Sequence, residues 1–187
     1  MKNFVKKHIS LFFSEFKYLL IISSVIVAIS FVFGYMFSKP SESTDLIRLN
    51  SQAQFTDYFF NNLKVCIFIM IGVLSFGLSS MYILFVNGSV LGGAIKVSSP
   101  YLEHKGQILL LLLPHGITEM LAILISGALG FLFLKNSILL LLERRKKFLD
   151  KNDITSFIIG FSLVVLLLFI SALIEYYITP DINELMK

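Results

Sequence analysis

Little of this sequence is charged, and almost none of it is cysteine. Asp, Glu, Lys and Arg together supply 15% of the 187 residues, against about 25% in an ordinary soluble domain, so a water-soluble globule is a poor fit. The single cysteine, Cys66, lies inside an apolar run. It excludes an intramolecular disulfide framework and a multi-cysteine metal site, and reads as a small packing residue. The histidines are His8, His104 and His115, and only the last falls within an apolar stretch, so a histidine metal centre is not expected. The zinc-protease pattern His-Glu-x-x-His is absent, as are a Gly-x-Ser-x-Gly elbow and a glycine-rich phosphate loop with its lysine. No cofactor is implied, and nothing resembles the active site of an ordinary soluble enzyme.

What is abundant is apolar. Hydrophobic residues make up 56% of the chain, and they gather in uncharged runs such as 18–37 and 65–95, long enough to cross a bilayer at roughly 20 residues per span. The expected fold is all-α: one polytopic helical membrane domain of about five spans. Ahead of the first run, Phe4, Val5, His8, Ile9, Phe12, Phe13 and Phe16 recur at helical spacing opposite Asn3, Lys6, Lys7, Ser10, Ser14 and Lys17. Residues 1–17 therefore read as an interfacial amphipathic helix; the alternative is that they simply begin the first span. That span, 18–37, exceeds a signal-peptide core and reads as a retained anchor. Residues 38–61 form a charge-balanced external loop, and 62–134 hold the central spans. Within them a crossing runs from about Leu63 to Val86, and Asn87-Gly88 then opens a short segment containing Gly92 and Gly93. The short segment is either a third crossing or a re-entrant piece, its small residues suiting close helix contact. Residues 135–153 form a basic loop, 154–175 the last span and 176–187 a tail.

The charge distribution orients these pieces. Lys135, Arg144, Arg145, Lys146, Lys147 and Lys151 fill the loop, whereas only Lys187 follows the last span, and the N-terminal tail carries Lys2, Lys6, Lys7 and Lys17. By the positive-inside rule the tail and the loop are cytoplasmic and the C-terminus external, in a prokaryotic cytoplasmic membrane. The number of crossings is then odd. The net charge of +4 is accounted for by this clustering beside apolar runs, not by nucleic acid.

One constellation stands out. His115 and Glu119 are four residues apart, hence on one helix face, with Pro114 at an expected first-turn position and Gly116 beside them. An ionisable pair at membrane depth faces the bundle interior or a wet cavity. It either acts as structural glue, each holding the other or a polar partner such as Asn87, or contacts protons or substrate. Glu175, near the external end of the last span, is a further polar residue, and Asn61 and Asn62 suit a helix cap. Arg144, Arg145, Lys146 and Lys147 follow the apolar run Leu139–Leu142, a pattern that docks on anionic lipid or on a soluble partner.

Taken together, Asn61-Asn62-Leu63-Lys64-Val65, Phe85-Val86-Asn87-Gly88 with Gly92, Leu113-Pro114-His115-Gly116 with Glu119 and Ala122, and Ala172-Leu173-Ile174-Glu175 with Thr179-Pro180 resemble the stage II sporulation protein M family across nearly the whole chain. The resemblance implies a five-span helical membrane protein without established catalysis. Some members occur beside ATP-binding-cassette ATPases in bacteriocin maturation, export or immunity systems, and the name-giving member is a scaffold for peptidoglycan-degrading proteins. The clear Pro114-His115-Gly116 is closer to the wider family. The expected partners are membrane lipids and an ATP-binding-cassette ATPase or other membrane subunits, with a homo-oligomer also compatible.

Overall fold

A computed structural model describes residues 2–39, 54–98 and 106–179. Among them every regular element is helical: α1 (Lys2–Phe37), α2 (Phe55–Met70) continued by a 3-10 turn (Ile71–Ser75), α3 (Leu78–Ser98), α4 (Gly106–Gly130), α5 (Leu132–Leu141) and α6 (Lys151–Tyr177). Five stretches are long and apolar enough to span a bilayer: Phe13–Phe37, Phe55–Ser75, Leu78–Val97, Pro114–Leu141 and Lys151–Tyr177. The protein is thus an all-α, multi-pass membrane bundle. Residues 2–17 are not a separate helix, because α1 runs from them into the first span without a break.

The second and third helices part at a place that hydropathy does not mark. The chain turns at Phe76 and Gly77, whose φ angles of 51° and 88° lie in the left-handed region, and the Gly77 N–H closes the turn on the Gly72 carbonyl at 2.7 Å. Ser80 Oγ donates to the Ile69 carbonyl at 2.7 Å, satisfying an acceptor loosened where α2 tightens to 3-10 geometry. Asn87 and Gly88 accordingly sit in the middle of a full-length α3. They do not interrupt it. Asn61 and Asn62 likewise lie inside α2, which is capped at Gln54 by a reciprocal box with Asp57.

Side-chain contacts fix the helix directions. Gly88 approaches Val27 and Ser30, and Gly92 approaches Phe31 and Tyr35, a near-constant offset that makes α1 and α3 parallel. Gly127 meets Ser23 while Lys135 Nζ donates to the Glu15 carbonyl at 3.3 Å, so α4 and α5 run antiparallel to α1. Asn136 meets Asp153 and His115 meets Ser171, so α6 opposes α4 in turn. The start of α1, the 76–77 turn and the 142–150 connection therefore share one end of the bundle. Residues 37, 55, 98, 106 and 177 lie at the other, an odd number of crossings. The core between them includes Phe16, Cys66, Ile69, Leu84, Leu129, Val164 and Leu168, all buried.

At the basic end α5 stops in a Schellman turn: Arg144 N–H bonds the Leu139 carbonyl and Glu143 N–H the Leu140 carbonyl, both at 3.0 Å. Glu143 pays for that turn with a φ of 56°, a conformation that glycine adopts without a Cβ penalty. Glu143→Gly is expected to raise detergent stability by about 1 kcal/mol, read as an upward shift in melting temperature.

Candidate functional site

α4 carries the constellation read from the sequence, but its first turns start earlier. Because the helix opens at Gly106, Pro114 lies in its interior and not in the first turn. It has no N–H to offer the Leu110 carbonyl, so the helix is weakened just before His115. Just beyond it, the His115 carbonyl accepts Thr118 Oγ1 of the same helix at 2.8 Å and Ser171 Oγ of α6 at 3.0 Å, which ties this part of α4 to α6.

Between α3 and α4 lies a partly open cavity of about 520 Å³, within the range of about 300 to 1,000 Å³ typical of small-ligand sites. Its walls are apolar, with Val90, Leu91 and Ile95 on α3 and Ile117, Met120 and Ile123 on α4. Its polar lining is Asn87, His115 and Glu119. The fold thus brings to one space the His-Glu pair and an asparagine 28 residues before the histidine. His115 and Glu119 share the wall, and no hydrogen bond joins them. His115 Nδ1 lies 3.4 Å from Thr179 Oγ1, and Thr179 Oγ1 donates to the Ile174 carbonyl at 3.4 Å. With the threonine proton on the Ile174 carbonyl the imidazole carries its own proton on Nδ1, the tautomer in which Nε2, which has no described partner, is an acceptor. Asn87 Nδ2 donates to the Ile83 carbonyl at 2.8 Å. The Glu119 carboxyl has no hydrogen bond or ion pair with any described residue.

Gly116 lines the same space, and a Cβ added to it would meet nothing within 4 Å. Glu175 of α6 is not part of the cavity wall, yet it and Glu119 are close enough to interact electrostatically, as are Glu175 and Tyr58 of α2. Cys66 is buried against Ser126 of α4, in keeping with a packing role.

The basic segment divides. Arg144, Lys146 and Lys147 are exposed, whereas Arg145 turns inward to hold α5 and α6 together. Its guanidinium donates to Asn136 Oδ1 and to the Asp153 carboxylate and pairs with Asp150 at 2.6 Å. Asn136 Nδ2 donates to the same Asp153 at 3.2 Å, and Asp150 and Asp153 cap α6 reciprocally at 3.0 Å. Asn136, Asp150 and Asp153 were not singled out by sequence. The Asp-x-x-Asp spacing ahead of an apolar run is a helix-start signal that points to two of them.

A family description, stage II sporulation protein M, matches residues 23–180. The chain belongs to the stage II sporulation protein M family. A relative in Methanocaldococcus jannaschii, an uncharacterized protein, is 36% identical over 169 residues, covering 87% of this chain and 94% of its own. No solved structure matches the chain. The matched region of the family contains every residue of the cavity wall, both sides of the α1–α3 contact and the Arg145 cluster.

Proposed function

We propose that this family member is a non-catalytic membrane subunit of a peptide or bacteriocin export, maturation or immunity system, working with a separate ATP-binding-cassette ATPase. The α3–α4 cavity carries the reading. It is an apolar space of ligand size with a carboxyl that no described residue engages, the character of a substrate site and not of a packing defect. The chain has no nucleotide-binding loop of its own, so in this reading energy comes from the partner.

The positive-inside rule supports placing the end with Lys2, Lys135 and the 142–150 connection in the cytoplasm, and the end with Tyr177 outside. A cysteine replacing Lys146 is then shielded in intact cells, while one replacing Glu184 is labelled by an impermeant reagent. The reverse pattern sinks the orientation. At the cytoplasmic end the exposed Arg144, Lys146 and Lys147 follow Leu141 and Leu142, which are 83% and 56% exposed, and together they offer a basic, partly apolar face to the ATPase or to anionic lipid.

Co-purification in mild detergent is the decisive test, with a stoichiometric ATPase as the expected result. Combined change of Arg144, Lys146 and Lys147 to Gln should cut recovery roughly tenfold or more, at about 1 kcal/mol per charge, without lowering the melting temperature. Recovery of cell-wall hydrolases and no ATPase would instead establish the scaffold role and overturn the transport reading.

A further inference from the structure

The polar groups of the α3–α4 cavity share one property. Glu119 presents a carboxyl with no described partner, His115 has Nδ1 beside Thr179 and an Nε2 with no described partner, an acceptor in the tautomer protonated on Nδ1, and Asn87 has its amide nitrogen on Ile83 and its oxygen free of any described donor. All three line the same space. A ligand that satisfies them is rich in N–H donors and positively charged, because a carboxylate in an apolar membrane site is stabilised by a cation brought to it. The rest of the wall is aliphatic, so the body of that ligand is apolar.

Gly116 supplies a second, independent observation. A glycine inside a helix costs about 1 kcal/mol relative to alanine, and elsewhere in this bundle the cost is offset by close contact: a Cβ at Gly34, Gly88 or Gly92 would collide with backbone of the facing helix. At Gly116 a Cβ would meet nothing. The space beside it serves no packing within the described chain, and it opens into the cavity that Glu119 lines.

We propose that this cavity binds a primary ammonium group carried on an aliphatic body, with the free N-terminus of an apolar peptide as the ligand class, the ammonium held by Glu119, His115 Nε2 and Asn87 Oδ1. This rests on the reading of the cavity as the substrate site and specifies what the substrate presents there. The three N–H donors of an ammonium match three acceptors, and an acetylated N-terminus, with one donor and no charge, does not.

The test uses the full chain in phosphatidylcholine nanodiscs, whose lack of net charge avoids unspecific enrichment of a cation. The probes are Leu-photoleucine-Leu amide with a free N-terminus and its N-acetylated form, and the readout is crosslinking mapped to peptides of α3 and α4. The free amine should label these peptides at least about tenfold more than the acetylated probe, the expected scale for losing a buried charge-assisted contact of about 1.4 kcal/mol or more, and excess Leu-Leu-Leu amide should compete. Glu119→Gln should bring the two probes level. Gly116→Phe, whose Cβ would meet nothing within 4 Å and whose ring would occupy the cavity, should suppress both. Equal labelling of the wild type by both probes, labelling that survives Gly116→Phe, or crosslinks joining two copies through α3 and α4 would each overturn the ammonium site. ATPase recovery from cells is scored separately, so the ligand class can fail while the transport reading stands. The amine-to-acetyl comparison in the wild type decides the matter even where Glu119→Gln fails to fold.

Discussion

Arg145→Ala is expected to lower the stability of the detergent-solubilised protein by about 3 kcal/mol, the scale for stranding one member of a buried charged pair. Asp153 is only 1% exposed, and its carboxylate is held by Arg145, by Asn136 and by the Asp150 N–H. Removal of the guanidinium leaves that carboxylate buried beside Asp150 with too few donors. Arg145→Lys rescues little, since one ammonium cannot reach Asn136, Asp150 and Asp153 with the geometry of a planar fork. The combined Gln variant of Arg144, Lys146 and Lys147 is the contrast: those side chains are exposed and their loss leaves melting unchanged. A thermal shift smaller for Arg145→Ala than for that triple variant would refute the inward placement of Arg145.

The same cluster gives the protein an acid-sensitive joint. Asp150 lies outside the spans, and the Asp153 N–H that it caps, together with the Arg145 charge, holds its carboxyl below the ordinary aspartate range. A carboxyl depressed in the folded state binds its proton more readily when unfolded, so its contribution is complete above the unfolded value and fades as pH falls through the folded one. Stability measured from pH 6 downward should fall less steeply in Asp150→Asn than in the wild type. Parallel slopes would remove Asp150 from the joint.

The five-span architecture was legible because each crossing needs an unbroken apolar run, and the runs are present. Helix ends were harder to read. Between residues 65 and 95 nothing charged marks the turn, which is made by left-handed Phe76 and Gly77 under the Phe131 ring; the polar Asn87, which drew attention instead, hides its amide on its own helix at Ile83. The preference of proline for a first turn places a helix start at Pro114, whereas α4 opens at Gly106 and carries the proline in its interior. The four-residue spacing of His115 and Glu119 put them on one face in sequence and in space. That Asn87 joins them, and that all three offer acceptors, depends on α3 lying beside α4 and on Thr179 reaching back to the imidazole. No local pattern carries that information. Arg145 was indistinguishable from its basic neighbours until the fold placed Asp153 and Asn136 beside it.

Gly92→Leu is expected to abolish assembly of the bundle, and Gly92→Ala to cost about 2 kcal/mol. In lipid there is no hydrophobic drive between helices, so α1 and α3 are held by close packing of small residues. The contact leaves no give: a Cβ on Gly92 would strike the Phe31 carbonyl oxygen and one on Gly34 the Ser89 carbonyl oxygen, and backbone atoms cannot rotate away as a side-chain tip does. The helices must separate along the whole seam, which also breaks the Lys96 Nζ bond to the Met36 carbonyl at 2.9 Å. Gly116→Ala tests the argument from the opposite side, since the same chemical change meets open space there. It should raise stability by about 1 kcal/mol through helix propensity alone. Melting curves of the two alanine variants should therefore shift in opposite directions from the wild type. A common direction would mean that space beside a glycine, as the fold places it, does not decide what that glycine contributes to the bundle.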